Sequence, residues 1–413
     1  MRIAVGRSIH PFDDSPQQLP VLDRTLAECQ QQVCEELGLE LVERNADRTL
    51  IIGDHTWFTT AILRRFLETC PPDGGRLAIS GPFLEYTRPL QELEPEPCVG
   101  MPVYISPTGE TTLETLNALP LVEVDLAVRM HEPELDHVVF RGLADEAIPV
   151  TDRMIHTVEH WSHLHRVNLL ALMAHGEGLR REYEARSWWR KLWFGLQILL
   201  SARSLNRFAI ASALTRKGRN CNIHPTATVE ACQLGDDVEI GPYAVVRASW
   251  VASGVKIQEH AQVNLSVLGE DSVVGRGAMV NLCVLMKRAM VSRGFGHQAS
   301  VFGRDAFVAV GSTLYDLSFG SEIKVSHRNR RVSSGTRFLG SCLGHRALIG
   351  PHVRIGYGES IPNDTTLVGD PTKVLRRIPD ALEEGVVHTF SGEALTSIER
   401  LKTERKNQSD REE

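Results

Sequence analysis

No two of the eight cysteines form a C-x-x-C pair, which removes zinc-ribbon and thioredoxin-type redox motifs. Cys29, Cys34, Cys70, Cys98, Cys221, Cys232, Cys283 and Cys342 are scattered over 413 residues, a usage that fits a reducing, cytoplasmic compartment. The opening residues MRIAVGRSIHPFDD hold no long apolar run, so no signal peptide is expected. No stretch reaches the roughly 18 apolar residues that a spanning helix needs. There is no excess of positive charge: 45 basic against 52 acidic residues leave a net charge of -7, which argues against general nucleic-acid binding. A G-x-S-x-G nucleophile elbow is missing. His345 and His352 have no evident third partner, so a zinc site is not expected. What remains is a chain of ordinary apolar content, 42%, long enough for one to three domains.

What the chain does have is a rhythm of six. In LGHRALIGPHVRIGYGESIPNDTTLV an aliphatic residue falls at Leu343, Ile349, Ile355, Ile361 and Leu367. The same spacing starts at Ile223 and Val229, runs through Leu234, Ile240 and Val246, and continues at Ile257 and Val263. It goes on through Leu268, Val274 and Val280 and returns at Phe302, Val308 and Leu314, with occasional steps of five. A helix repeats near 3.6 and an ordinary strand at 2. A short internal repeat of six predicts a solenoid in which each hexad makes one strand and one turn. Three hexads would close a triangular coil, and stacked coils would bury a column of aliphatic side chains. The rhythm breaks from Tyr315 to Gly340, where Lys324, His327, Arg328, Arg330, Arg331 and Arg337 are gathered. Loops thrown out of a solenoid usually carry its function, so this excursion is expected to hold the ligand site. The alternative is a solvated basic loop.

Ahead of the solenoid, residues 1–165 read as mixed α/β, with a buried strand in RTLIIGDHTWF and a helix in TTAILRRFLETC. Residues 166–217 read as a helical connector. Within it Trp188, Trp189, Leu192, Trp193, Leu196, Leu199 and Leu200 can share one helix face. Such a stripe is expected to pack against its own protein. Trp with basic residues is also the composition of an interfacial helix, so peripheral membrane contact through 187–208 is the alternative. The charged tail, 379–413, is expected to be disordered at its end.

The stretch FGRDAFVAVGSTLYDLSFGSEIKV resembles, without a gap, a segment of the acetyltransferase half of bifunctional sugar-1-phosphate nucleotidyltransferase/amino-sugar acetyltransferases, in particular the archaeal type. NRRVSSGTRFLGSCLGHRALIG and LVGDPTKVLRRI are similar to later parts of that half, so that the match spans roughly 218–378. QQLPVLDRTLAE, LIIGDHTWF and HWSHLHRVNLLAL resemble parts of the nucleotidyltransferase half. The resemblance implies a shortened nucleotidyltransferase-like α/β domain at 1–165 and a left-handed parallel β-helix at 218–378. It also implies a homotrimer with ligand clefts between solenoids. The implied reaction is acyl transfer at the β-helix, from acetyl-CoA or another acyl-CoA to the amine of a sugar or sugar phosphate. A sugar phosphate or sugar nucleotide would be the partner ligand.

The residues depart from the family pattern. Arg293 stands where the family has its His general base, and His297, four residues on, is the candidate base. Lys324, Arg330 and Arg337 would bind phosphate groups, Arg337 bidentately. Asp54 matches the Asp that holds Mg²⁺ in the family. The first twenty residues offer VGRSIHPFDD in place of a Gly-rich phosphate loop, so nucleotidyl transfer is expected to be lost, with Mg²⁺ needed only if that site is alive. The alternative to an enzyme is a non-catalytic trimeric scaffold or a sugar-nucleotide sensor.

Overall fold

The computed structural model describes residues 1–39, 48–109, 111–131, 148–202, 206–294, 296–370, 372, 386–390, 395–400 and 402–403. The chain divides into two compact units, Met1–Thr366 and Leu367–Glu413. In the second, His388–Phe390 and Leu395–Ser397 pair as an antiparallel hairpin. Most of the charged tail, and the residues between Pro371 and Arg377 apart from Thr372, lie outside the described residues, as does the disorder expected at the chain's end.

The first unit opens with a five-stranded sheet. Its strands are β1 (Arg2–Ile3), β2 (Thr49–Gly53), β3 (Gly75–Ser80), β4 (Cys98–Ser106) and β5 (Leu121–Glu123), in the order β1-β2-β4-β3-β5. β1 runs parallel to β2 and β3 parallel to β5, while β4 is antiparallel to both of its neighbours. Every residue of β4 from Val99 on is buried, as a central strand covered on both faces requires. Helices α1 (Leu26–Glu36), α2 (Thr60–Thr69), α3 (Pro82–Thr87) and α4 (Leu113–Asn117) flank it. The Thr25 hydroxyl accepts from the Glu28 N–H at 3.2 Å, and the Glu28 carboxylate accepts from the Thr25 N–H at 2.8 Å. This reciprocal cap fixes where α1 begins. Ile62, Leu63 and Phe66, at helical spacing, turn α2 into the core.

The rhythm of six becomes a parallel β-solenoid. Each strand pairs with the one 17 residues later: Ile223 with Ile240, Val229 with Val246, Leu234 with Val251. A coil is therefore two steps of six and one of five, and the five falls each time between the second and third faces. The three faces carry sheets of eight, five and seven strands. Inward residues stack as Ile240, Ile257, Val274, Val291 and Val308 on the first face, and as Val251, Leu268, Leu285, Phe302 and Leu343 on the third. Each such side chain contributes about 1.5–3 kcal/mol of transfer free energy. At one corner Asn220, Asp237, Gly254, Asp271, Arg288 and Asp305 all have φ between 55° and 72°. Asn, Asp and Gly tolerate that left-handed conformation best.

The long helix α5 (Trp161–Ala185) carries the chain from the sheet toward the solenoid, and α6 (Trp188–Ala202) and α7 (Arg207–Ala213) follow. The third face of the solenoid is buried on its outside too. Val267, Val284, Val301 and Cys342 share one core with Phe12, Trp161 and Leu164 of the N-terminal region. Asp14 pins the contact. Its carboxylate accepts from Arg304 at 2.6 and 3.0 Å and from the His345 Nε2 at 3.0 Å. Burial alone would raise this carboxyl, but the bonds from His345 and Arg304 outweigh it and hold it at about 2.

The excursion differs from the sequence expectation. Lys324–His327 and Arg330–Ser333 form an antiparallel hairpin turned by Arg328 and Asn329, both with positive φ. Ile323 and Val325 are fully buried in the joint core. Arg328 pairs with Glu92 of the N-terminal domain. Gly335, at φ 73°, lets the returning chain pass against Pro89, where a Cβ would lie 2.3 Å from the ring. The excursion thus bolts the solenoid to the α/β domain.

Four histidines at the start of α5 serve the same junction. His156 Nδ1 donates to Thr157 O (2.5 Å) and His160 Nε2 to Ser326 O (3.2 Å). His163 Nε2 donates to Pro89 O (3.0 Å) and His165 Nε2 to Leu282 O (2.6 Å). Burial holds His156 and His160 down to about 3 and His165 to about 4, and takes His163 well below its usual value. All four are neutral donors. Their folded values lie below the unfolded one near 6.5, so the unfolded chain binds more protons in acid. Their contribution is fully present above about pH 6.5 and is lost as the pH falls toward 4. Denaturant titrations between pH 8 and 4 should show stability falling below pH 6.5, each such histidine adding up to about 1.4 kcal/mol per pH unit. A flat profile would show that the four are not buried neutral in solution.

Candidate functional site

The largest concavity among the described residues lies between α5, α6 and the solenoid. It encloses 1390 Å³, more than an ordinary drug-sized pocket. One wall is a solenoid corner, where Ala231, Ala248, Leu265, Leu282 and Ala299 repeat every 17 residues, all at positive φ. The opposite wall is the apolar side of α5, with Leu169, Leu172 and Leu179. Phe194 and Ile198 of α6 form part of the lining, and Tyr183 meets Phe194 at 5.6 Å between ring centroids. The return strand of the excursion closes one end with Ser334, Thr336 and Phe338.

Charge is set into these apolar walls. Arg166 donates to the carbonyl oxygens of Thr87 (2.8 Å) and Pro89 (3.4 Å). Among the described residues no carboxylate lies within ion-pair distance of it. Burial lowers its pKa below the usual arginine value, yet a guanidinium stays charged. Arg186, over the Phe194 ring at 4.8 Å, and Arg216 add positive charge, against Glu85 and Glu182. His175 stands edge-on to Trp250 at 5.2 Å in the same cavity. Burial, and then Arg216, lower its pKa, so it is neutral at pH 7. The arrangement suits an amphiphile with an apolar chain and an anionic group.

Of the residues singled out in sequence, His297 lies in the second-face inner column below Val229, Val246, Val263 and Val280, and is 3% exposed. It is neither an exposed corner residue nor a groove-facing base. Its ring meets Phe302 at 5.8 Å, its Nδ1 has no partner, and burial lowers it to about 4. Arg293 is exposed on the turn before it. Lys324 lies opposite Ser333 and Arg330 opposite His327, so alternation puts Lys324 and Arg330 on opposite faces of the hairpin. Arg337 is half-buried on the return strand. These groups do not converge. Asp54 is buried, and its carboxylate accepts from the N–H groups of Val5 (3.0 Å) and Gly6 (2.7 Å). Burial would raise it, but His55 and these N–H groups hold it at about 2. No group of three or more metal-ligating side chains occurs among the described residues. The cysteines of the solenoid are inert, since burial pushes Cys232 to about 11 and Cys283 to about 12.

No family model matches the chain, and no curated protein matches it. Solved structures give weak overlaps. A Bacillus cereus protein assigned as an acetyltransferase is 16% identical, covering 40% of this chain and 84% of its own, with a TM-score of 0.20. The polysialic acid O-acetyltransferase OatWY is 19% identical, covering 45% and 87%, with a TM-score of 0.19. Neither overlap is deep enough to bear on activity. The chain is a hexapeptide-repeat β-solenoid protein with an α/β domain seated on one solenoid face.

His297→Val would complete the valine column. Relief of an unpartnered buried imidazole should raise unfolding free energy by about 1 kcal/mol in urea titrations. A loss of that size would mean that the ring has a partner in solution.

Proposed function

We propose that the protein is a hexapeptide-repeat acyltransferase that moves an acyl group from a CoA thioester to the amine of a sugar or sugar phosphate. The observation that carries this reading is the apolar, arginine-studded cavity against the solenoid corner. It has room for an acyl-pantetheine arm and positive charge for phosphate. The resemblance of residues 302–325 to a sugar acetyltransferase segment supports it from the sequence side. In the reaction the amine nitrogen attacks the thioester carbonyl, a C–N bond forms, the C–S bond breaks and the thiol leaves. The amine must give up a proton. Within the cavity His175 is the candidate acceptor, in place of the enclosed His297.

Nucleotidyl transfer is lost in this reading. The Val5 and Gly6 N–H groups, which follow β1 where a phosphate loop would stand, are taken by the Asp54 carboxylate. The half-exposed outward column Val273, Met290 and Phe307 on the first face, continued by the exposed Leu348, suits contact with further copies in a trimer. A left-handed coil belongs to the same proposal. The scattering of Lys324, Arg330 and His297 favours a second reading, a sensor that binds the ligand without turning it over.

Acyl-CoAs of increasing chain length are expected to raise the melting temperature, and thiol release with hexosamine phosphates should follow. Leu169→Trp should abolish the shift. His175→Ala should keep it and lower turnover about a hundredfold or more. Stabilisation without thiol release would favour the sensor, and no stabilisation by any acyl-CoA would remove both. Asp54→Ala should cost about 1–3 kcal/mol of stability and expose no pyrophosphate-releasing activity in the wild type to lose.

A further inference from the structure

The stripe on α6 is not packed against its own protein, as the sequence led us to expect. Trp188, Trp189 and Trp193 are 59%, 64% and 64% exposed, and Leu192, Leu196 and Leu200 are 57%, 47% and 66% exposed. Only the narrow opposite side, Phe194 and Ile198, turns to the cavity. The reason lies in the geometry of the junction. The solenoid face that could have covered the stripe is already taken by the α/β domain. Three of the six tryptophans of the chain therefore stand in solvent on one helix.

Charge identifies what covers them. From Arg186 to Arg219 the sequence holds eight Arg and Lys and no Asp or Glu, in a chain whose net charge is -7. The exposed Arg190 follows the tryptophan pair directly, and Lys191 comes next. The partner must be apolar at its centre and anionic at its rim. A second copy of this helix would bring like charge against like. An anionic phospholipid bilayer has both properties. Trp settles at the headgroup level, apolar side chains enter the acyl boundary, and each nearby Lys or Arg gains about 1 kcal/mol from an anionic leaflet. No helix among the described residues is long and apolar enough to cross a membrane, so α6 would lie in the plane of the surface.

We infer that α6 is an interfacial anchor that docks the protein on an anionic phospholipid surface through Trp188, Trp189, Trp193 and the leucines between and beyond them. Phe194 and Ile198 sit on the reverse of the same helix and line the 1390 Å³ cavity, so docking brings that cavity to the headgroup layer. The inference stands independently of acyl transfer.

The full chain is mixed with vesicles of phosphatidylcholine alone or of phosphatidylcholine with phosphatidylglycerol, and flotation is measured. The wild type should float with the anionic vesicles only, with a blue shift of tryptophan emission, and high salt should release it. Trp188→Ser, Trp189→Ser and Trp193→Ser together should lower the bound fraction about tenfold or more, as should Arg190→Glu with Lys191→Glu. Melting temperature should not change, since these side chains are exposed. Failure of the wild type to float overturns the inference, as does flotation of the triple variant at the wild-type level. Equal flotation on both vesicle types overturns the anionic requirement. If the wild type does not float and the triple variant dissociates from a multimer, the stripe is a contact between copies and the inference is wrong.

Discussion

Along the third face of the solenoid, side chains that point away from the coil interior are as buried as those that point into it. Val267, Val284 and Val301 lie 17 residues apart and make one outward column, and the N-terminal region closes over it with Phe12, Trp161 and Leu164. Burial on both sides makes this the most demanding surface in the molecule. Every strand in it must match its own coil and a foreign domain together. The Asp14 clamp, the four neutral histidines and the excursion hairpin all serve that one contact. Each satisfies a polar group that the contact would otherwise strand away from water.

This constraint explains why the excursion was misread from sequence. Its cations are close along the chain, and proximity in sequence suggested convergence. A two-stranded hairpin separates neighbours by alternation instead. Ile323 and Val325 then go into the joint core, Lys324 goes to solvent, and Arg328 finds Glu92. Nothing in the sequence around Lys324 announces Glu92, which lies more than two hundred residues earlier. The solenoid was legible because its period is local. His297 was equally legible in principle: adding 17 to Val280 places it inside. The period of six, taken with steps of five, hid that longer repeat.

The cavity could not be read from sequence, because no single segment makes it. Its corner column of Ala231, Ala248, Leu265, Leu282 and Ala299 is visible only once the 17-residue coil is known. Its polar groups, Arg166 and His175, sit on α5 among residues that look like ordinary helix surface. Asp54 shows the opposite case. Its position at the end of a buried strand was read correctly, but its chemistry is decided by Val5 and Gly6, which take both of its useful directions on one oxygen.

The exposure of α6 follows from the same economy of surfaces. A solenoid has three faces; here one is covered by the α/β domain, and a corner beside it is covered by α5. The helix that comes next can bury only the side that meets the cavity, two residues wide. Its broad Trp and Leu side has no surface of this unit left to meet. A chain that is acidic in total and carries no acidic residue from Arg186 to Arg219 has concentrated its positive charge where its apolar surface is bare. Random placement of exposed tryptophans would not bring that charge with them. Apolar area and positive charge are independent physical properties, and the surface that satisfies both lies outside this chain.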